Sequence, residues 1–213
     1  MAWTKIFAKP ARVEPTVSLQ EVVRYFNDAA ADEENFPSTI DPRIYHVQLI
    51  FEYFGDLSGK RVLDVGCGKG RFARVLAERY QRASIIGFDL AEAMLRHIQA
   101  GVVACAGSMT ALPFVTGAFD CVYATESLEH AVQIDVAVAE MCRVVRPGGR
   151  IVVIDKNVQQ WGRLKTPEWE KWFGRKELEK LLARHCAKVS SRPISYWEDV
   201  APDGLFLAWL AER

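Results

Sequence analysis

From Gly59 onward the chain alternates short, almost unbroken apolar runs with amphipathic stretches, and this alternation restricts its fold more than any other feature. The runs are RVLDV (61–65), SIIGF (84–88), GVVAC (101–105), DCVYAT (120–125) and RIVVID (150–155). A strand with one wet face alternates apolar and polar residues, whereas a run apolar at nearly every position must be covered on both sides. Apolar residues at helical spacing over 70–80, 91–99, 132–146 and 175–186 provide those covers. Such repetition predicts a doubly wound α/β fold built on a parallel sheet. The last segment breaks the pattern. Residues 187–197 and LFLAWLAE (205–212) flank Pro202-Asp203-Gly204, a turn sequence that predicts an antiparallel pair.

Ahead of this region, 17–30 and 43–55 carry apolar residues at helical spacing, separated by a polar, Pro-containing stretch. At 213 residues the chain suits one domain, with 1–55 as a helical cover and 56–213 as the core. Lys+Arg and Asp+Glu both number 27, and no basic stripe is visible, so a nucleic-acid partner is not expected. The five cysteines (67, 105, 121, 142, 186) form no CxxC pair, which predicts neither a disulfide framework nor a zinc site. No HExxH-like ligand cluster occurs either, and no metal is expected. The opening MAWTKIFAKPARVEP lacks the apolar stretch of a leader, and nothing approaches the roughly 18 apolar residues of a membrane span. A soluble, cytoplasmic protein is the expectation.

The chemistry is concentrated in VLDVGCGKGRF (62–72), where an apolar strand runs into Gly66, Gly68 and Gly70 and a helix follows. Glycines there let backbone approach a ligand, and the helix start offers unpaired N–H groups. The spacing is GxGxG rather than the dinucleotide GxGxxG, and Asp64 sits inside the strand, suited to a ligand with a cationic amino group. Asp89 closes the second run, 19 residues past Gly70, where a carboxylate accepts hydrogen bonds from ribose hydroxyls or caps the helix near Ala91. GSMTALPF (107–114), FDCVYATESLEH (119–130) and MCRVVRPGGRIVVID (141–155) follow, the last containing an Arg146-Pro147-Gly148-Gly149 turn.

In this order and spacing the segments resemble the class I S-adenosylmethionine-dependent methyltransferases, most closely the branch with the ubiquinone and menaquinone biosynthesis methyltransferases. The resemblance is strong over about residues 40 to 155. It implies a Rossmann-like seven-stranded sheet in the order 3-2-1-4-5-7-6 with strand 7 antiparallel. It also implies S-adenosyl-L-methionine as cofactor and S-adenosyl-L-homocysteine as product. The methionine part maps to Asp64, Gly66, Cys67 and Gly68, the ribose to Asp89, and the adenine to Leu90, Ser108 and Met109. Thr125 and Glu126 lie under the methionine chain. Relatives commonly place Asp where this chain has Ser108, a neutral acceptor.

The reaction needs an acceptor lone pair aligned behind the methyl group and, for some acceptors, a base. His130, Glu126, Tyr123 and His46 are the candidate bases, with His130 the best placed after the fourth run. Trp161 and Trp169 from WGRLKTPEWEKWF (161–173), with Tyr45 and His46 opposite, are candidates for the wall around a small, apolar or aromatic acceptor. Two other functions compete. A nicotinamide-dependent oxidoreductase shares the glycine turn and Asp89 but lacks a YxxxK pair, and a non-catalytic S-adenosylmethionine-binding protein would carry the same pocket.

Overall fold

A computed structural model describes residues 17–197 and 199–213; the reading of the first fifteen residues falls outside them. Helix α1 (Leu19–Asp28) starts at a capping box, in which the Ser18 hydroxyl accepts the Glu21 N–H and the Glu21 carboxylate accepts the Ser18 N–H at 2.8 Å. Helix α2 (Tyr45–Phe54) is apolar on most of its surface and stops at Gly55, where φ is 67°.

The core follows as β1 (Arg61–Val65), α3 (Arg71–Arg79), β2 (Ser84–Asp89), α4 (Glu92–Leu95), β3 (Val102–Ala106) and β4 (Phe119–Thr125). Then come α5 (Ile134–Val144), β5 (Val145–Lys156), α6 (Arg175–Leu182), β6 (Lys188–Ile194) and β7 (Phe206–Glu212). The seven strands form one sheet in the order β3-β2-β1-β4-β5-β7-β6. β1 to β5 run parallel, and β7 is antiparallel to both neighbours. The expected order and the antiparallel strand are both present.

Why the strands read as continuous apolar runs is now plain. Leu63, Val65, Val122, Ala124, Ile151 and Val153 pack on one face, beneath α5 and α6. Val62, Cys121, Tyr123, Val152 and Ile154 pack on the other, beneath α2 and α3. In β1, β4 and β5 successive side chains alternate between two buried faces, so neither face is free to be polar; β3, expected to be covered likewise, lies at the sheet edge with Val103 64% exposed. Among the described residues no helix is long and apolar enough to cross a membrane. All five cysteines are free, although the Cys142 and Cys186 sulfurs lie 3.6 Å apart.

Several boundaries differ from expectation. The helix expected over 91–99 ends at Leu95, after which i→i+3 bonds (His97 to Met94, Ile98 to Leu95) tighten the chain. That turn drops Ile98 against Gly70 and Gly87, where an added Cβ would come within 3.1 and 2.9 Å of its side chain. Arg146 to Gly149 form an irregularity inside β5 rather than a turn ahead of it: Phe119 pairs with Val145, but Cys121 pairs with Arg150. Asp120 holds this bulge by accepting the Arg146 Nε at 2.7 Å. β6 stops at Ile194, not 197, because Trp197 bridges to Ile44 and the Tyr196 carbonyl accepts the Tyr45 N–H (2.9 Å). These contacts pin the end of β6 to the start of α2.

Candidate functional site

Parallel strands place their carboxyl ends together, and the loops beyond β1, β2, β3 and β4 converge over one cavity. Gly66, Gly68 and Gly70 all have left-handed backbone (φ 74°, 53° and 78°). At Gly66 the constraint is absolute in space as well, since a Cβ there would sit 2.4 Å from the Ser127 Cβ. The turn is fixed from below by the Phe88 carbonyl, which accepts the Gly66 and Cys67 N–H groups at 2.7 and 3.0 Å. Asp89 finishes the job: its two oxygens accept the Gly68 N–H (2.7 Å) and the Ala91 N–H (2.8 Å). Helix α4 is capped by Ala91 itself, so Asp89 braces its entry from two residues upstream rather than occupying the cap. Burial raises the Asp89 carboxyl above its ordinary range, despite those N–H donors.

Asp64 lies on the cavity floor with 2% of its surface exposed. Burial pushes its carboxyl up to about 7, partly opposed by the Tyr123 hydroxyl, which donates to Oδ2 at 2.8 Å. Tyr123 is wholly enclosed and its phenol is raised well above its usual range by burial. It therefore acts as a donor to Asp64 and has no route to a substrate proton, contrary to its reading as a base.

Leu90, Ser108 and Met109 line the same cavity, with the Ser108 hydroxyl 2.7 Å from that of Thr110. Thr125 is buried with its hydroxyl unpartnered. Glu126 closes β4 in left-handed backbone (φ 52°) and pairs with Arg71 at 3.3 Å. Left-handed backbone in a residue with a Cβ is costly and is held here by the Glu126 N–H donating to the Ile154 carbonyl (2.8 Å). From above, α1 lowers Leu19, Val22 and Phe26 onto the opening. Lys69, buried in the glycine turn, reaches up to Glu33 (2.5 Å) and the Asp32 carbonyl (3.3 Å), clamping cover to core.

A second compartment continues from the first, and Arg71, Glu126, His130 and Phe26 line both. The His130 ring lies 4.9 Å from the Phe26 ring. Its Nε2 faces Glu129 Oε1 (3.7 Å) and Glu170 Oε2 (3.8 Å), while Nδ1 is buried without a partner. Burial, aided by the Lys156 ammonium, depresses the imidazole to about 3, so it is neutral with an available lone pair. Lys156 binds Glu129 and reaches Glu170 at 3.1 Å. Burial works against its charge, but the surrounding Glu129, Asp155 and Glu170 carboxylates win and raise it.

The four residues expected to wall the acceptor separate. Trp169 lines the second compartment, edge-on to Tyr25 at 5.2 Å. Trp161 packs instead against Trp172 (5.2 Å), away from both compartments' linings. His46 is buried between Tyr196 and Phe206, lowered to about 4 by burial, and lines neither compartment. Tyr45 accepts Arg192 at its hydroxyl (2.8 Å) and also lies outside both. The tie between α2 and the end of β6 turns both residues to the far side of the cover. Arg71, Lys69, Glu129, Lys156 and Glu170 were not anticipated. The signal for Lys156 was present, a lone lysine ending the apolar run RIVVIDK.

The family described as "Methyltransferase domain" matches residues 63–153. The chain is 37% identical over 134 residues to a fatty-acid O-methyltransferase of Mycolicibacterium smegmatis, covering 61% of this chain and 47% of that protein. It is 29% identical over 181 residues to a demethylmenaquinone methyltransferase of Renibacterium salmoninarum, covering 83% and 73%. The match spans between about a third and three quarters of the length of the curated relatives, and under half of the fatty-acid O-methyltransferase. Among solved structures, the Haemonchus contortus phosphoethanolamine N-methyltransferase 2 in complex with S-adenosyl-L-methionine superposes with a TM-score of 0.74 at 16% identity, covering 92% of this chain and 60% of that one. The strand order, the glycine turn and the matched segment agree: residues 63–153 are similar to the methyltransferase domain family, and the fold is that of the class I S-adenosylmethionine-dependent methyltransferases.

Proposed function

We propose that the chain methylates a small molecule, holding S-adenosylmethionine in the first compartment and the acceptor in the second. The observation that carries this reading is the seam between the two. Glu126, Arg71 and His130 belong to both linings, so whatever fills one compartment meets whatever fills the other there.

The residues present fit the cofactor. Asp64 is a buried carboxylate lining the cavity, and Thr125 offers an unpartnered hydroxyl beside it. Gly66, having no Cβ, lets Ser127 pack directly against the turn that lines the cavity. In this reading Asp64, Gly66, Cys67 and Gly68 hold the amino-acid end. Asp89 takes the ribose, Leu90, Ser108 and Met109 surround the adenine, and Thr125 and Glu126 lie beneath the chain joining them. When bound, the cofactor supplies an activated methyl group on a sulfonium. The protein's part is to orient the acceptor, exclude water and remove a proton. His130 is positioned for the last of these, neutral and facing the seam. Leu19, Val22 and Phe26 of α1 exclude water from above.

The acceptor wall in this reading is Trp169 with Tyr25, Phe26 and Phe36. Of the 1–55 cover, the described residues from 17 onward stand over the core, and 56–213 form that core in a single domain. The neutral net charge and free cysteines support a cytoplasmic setting and a partner other than nucleic acid. Equilibrium dialysis with labelled S-adenosylmethionine tests the assignment. One site per chain is expected, and Asp89→Ala should weaken it at least tenfold with an unchanged circular dichroism spectrum. Equal uptake by the variant would remove Asp89 from the site.

A further inference from the structure

We propose that the second compartment is a site for an ammonium group, so that the methyl acceptor is an amine. This rests on the placement of the acceptor in that compartment.

The argument begins with charge. Glu129, Glu170 and Lys156 line the compartment, and Asp155 stands directly behind, its Oδ2 accepting the Glu129 N–H at 3.2 Å. Burial and their mutual repulsion raise the Glu129, Asp155 and Glu170 carboxyls above their ordinary range, with one lysine among them, so a further cation would stabilise the group. Lys156 is already committed to two of them. Arg71, the other partly buried cation of the lining, is paired with Glu126. The remaining cations, Arg24 and Lys165, are exposed, as are Glu21 and Asp28 on the same side. An anionic guest would add a negative charge to a buried group with no spare cation, an arrangement desolvation makes costly.

A vacant acceptor gives the direction. Glu129 is 1% exposed, no donor side chain meets its Oε2, and its carboxyl lies against that of Asp155, so the two lack a cation between them. A buried carboxylate oxygen left unpaired is expensive unless a donor completes it. The opposite end of the same carboxylate shows which donor suits it, because Oε1 already binds the Lys156 ammonium. His130 Nδ1, also buried and unpartnered, is a second acceptor at the same wall. The rings of Tyr25, Phe26, Phe36 and Trp169 surround these acceptors, and aromatic walls attract cations. Glu129, His130 and Glu170 also bring one ligand atom each within 4.8 Å of the others, a spacing that suits a metal ion too. The lysine already seated between the two carboxylates favours an organic ammonium over a metal.

Transfer to such an acceptor balances simply. The ammonium first gives one proton to Glu129, and the freed nitrogen lone pair forms the new N–C bond. The broken C–S bond leaves its electrons on sulfur, and the methylated nitrogen regains a positive charge. Glu129 then passes its proton by way of His130, whose Nε2 lies 3.7 Å from its Oε1, to solvent.

The test uses full-length protein saturated with S-adenosylhomocysteine, so that the first compartment is filled. Calorimetry compares 2-phenylethylamine, 3-phenylpropionate and manganese(II). The amine should bind at least tenfold more tightly than the carboxylate. Glu129→Gln should cost the amine at least tenfold while the affinity for S-adenosylhomocysteine stays within twofold. Trp169→Leu, at a half-buried position, should weaken the amine several-fold by the same readout. Equal or tighter binding of the carboxylate would overturn the proposal, as would manganese binding in place of the amine or indifference to both variants. If S-adenosylhomocysteine itself fails to bind, the cofactor assignment fails instead, and the amine titration on the same protein still reports on the second compartment.

Discussion

Asp64 couples ligand binding to pH in a way that can be worked out from its surroundings. Burial holds its carboxyl at about 7 against an ordinary 3.8. At about 1.4 kcal/mol per pH unit, roughly 4 kcal/mol of ionisation free energy is withheld in the empty protein. A ligand whose ammonium pairs with the carboxylate must recover it. Above the folded value Asp64 is already ionised and binding proceeds without proton release. Below it, binding must first expel a proton, so affinity falls as pH falls. S-adenosylhomocysteine should bind roughly tenfold more weakly at pH 6 than at pH 8, with about one proton released per ligand at the lower pH. Calorimetry in two buffers of different ionisation enthalpy measures both quantities. Asp89 is raised as well and adds a dependence of the same sign at its own titration. Asp64→Asn should flatten the profile near neutrality, and Tyr123→Phe, which removes the 2.8 Å donor to the carboxylate, should move its midpoint to higher pH. An affinity constant within twofold across that range in the natural protein would refute the reasoning.

The other expectations are simpler. Gly66→Ala forces a Cβ to within 2.4 Å of Ser127 in left-handed backbone; it should weaken S-adenosylhomocysteine at least tenfold and cost about 1–2 kcal/mol of stability by thermal denaturation, from the backbone term alone. His130→Ala should lower turnover about a hundredfold, leaving the cofactor's dissociation constant within twofold. Because burial keeps this imidazole neutral down to about 3, the rate profile of the natural protein should show no histidine limb between pH 5 and 8.

Much of the fold was legible because its determinants are local. The unbroken apolar runs of β1, β4 and β5 reported strands buried on both faces, though the equally apolar run of β3 lies on the exposed sheet edge, and Gly66, Gly68 and Asp89 reported a tight turn whose neighbours lie close in sequence. What escaped depends on long-range pairing. The end of β6 is set by contacts of Tyr196 and Trp197 with Ile44 and Tyr45, some 150 residues earlier, and these contacts also carry Tyr45 and His46 away from the acceptor side. Trp161 and Trp169 looked equivalent in sequence, yet one packs on Trp172 and the other enters the second compartment. The Glu129–Lys156–Glu170 cluster draws on three separate segments, and no sequence window contains it. Lys69 resembled an ordinary loop lysine until its partner Glu33, 36 residues upstream, was in view.

A crystal structure with S-adenosylhomocysteine bound tests the two-compartment arrangement most directly. The account predicts ribose hydroxyls against Asp89, the amino group at Asp64 and the sulfur turned to the seam formed by Glu126, Arg71 and His130. Density elsewhere in the molecule, or a sulfur directed away from that seam, would contradict it.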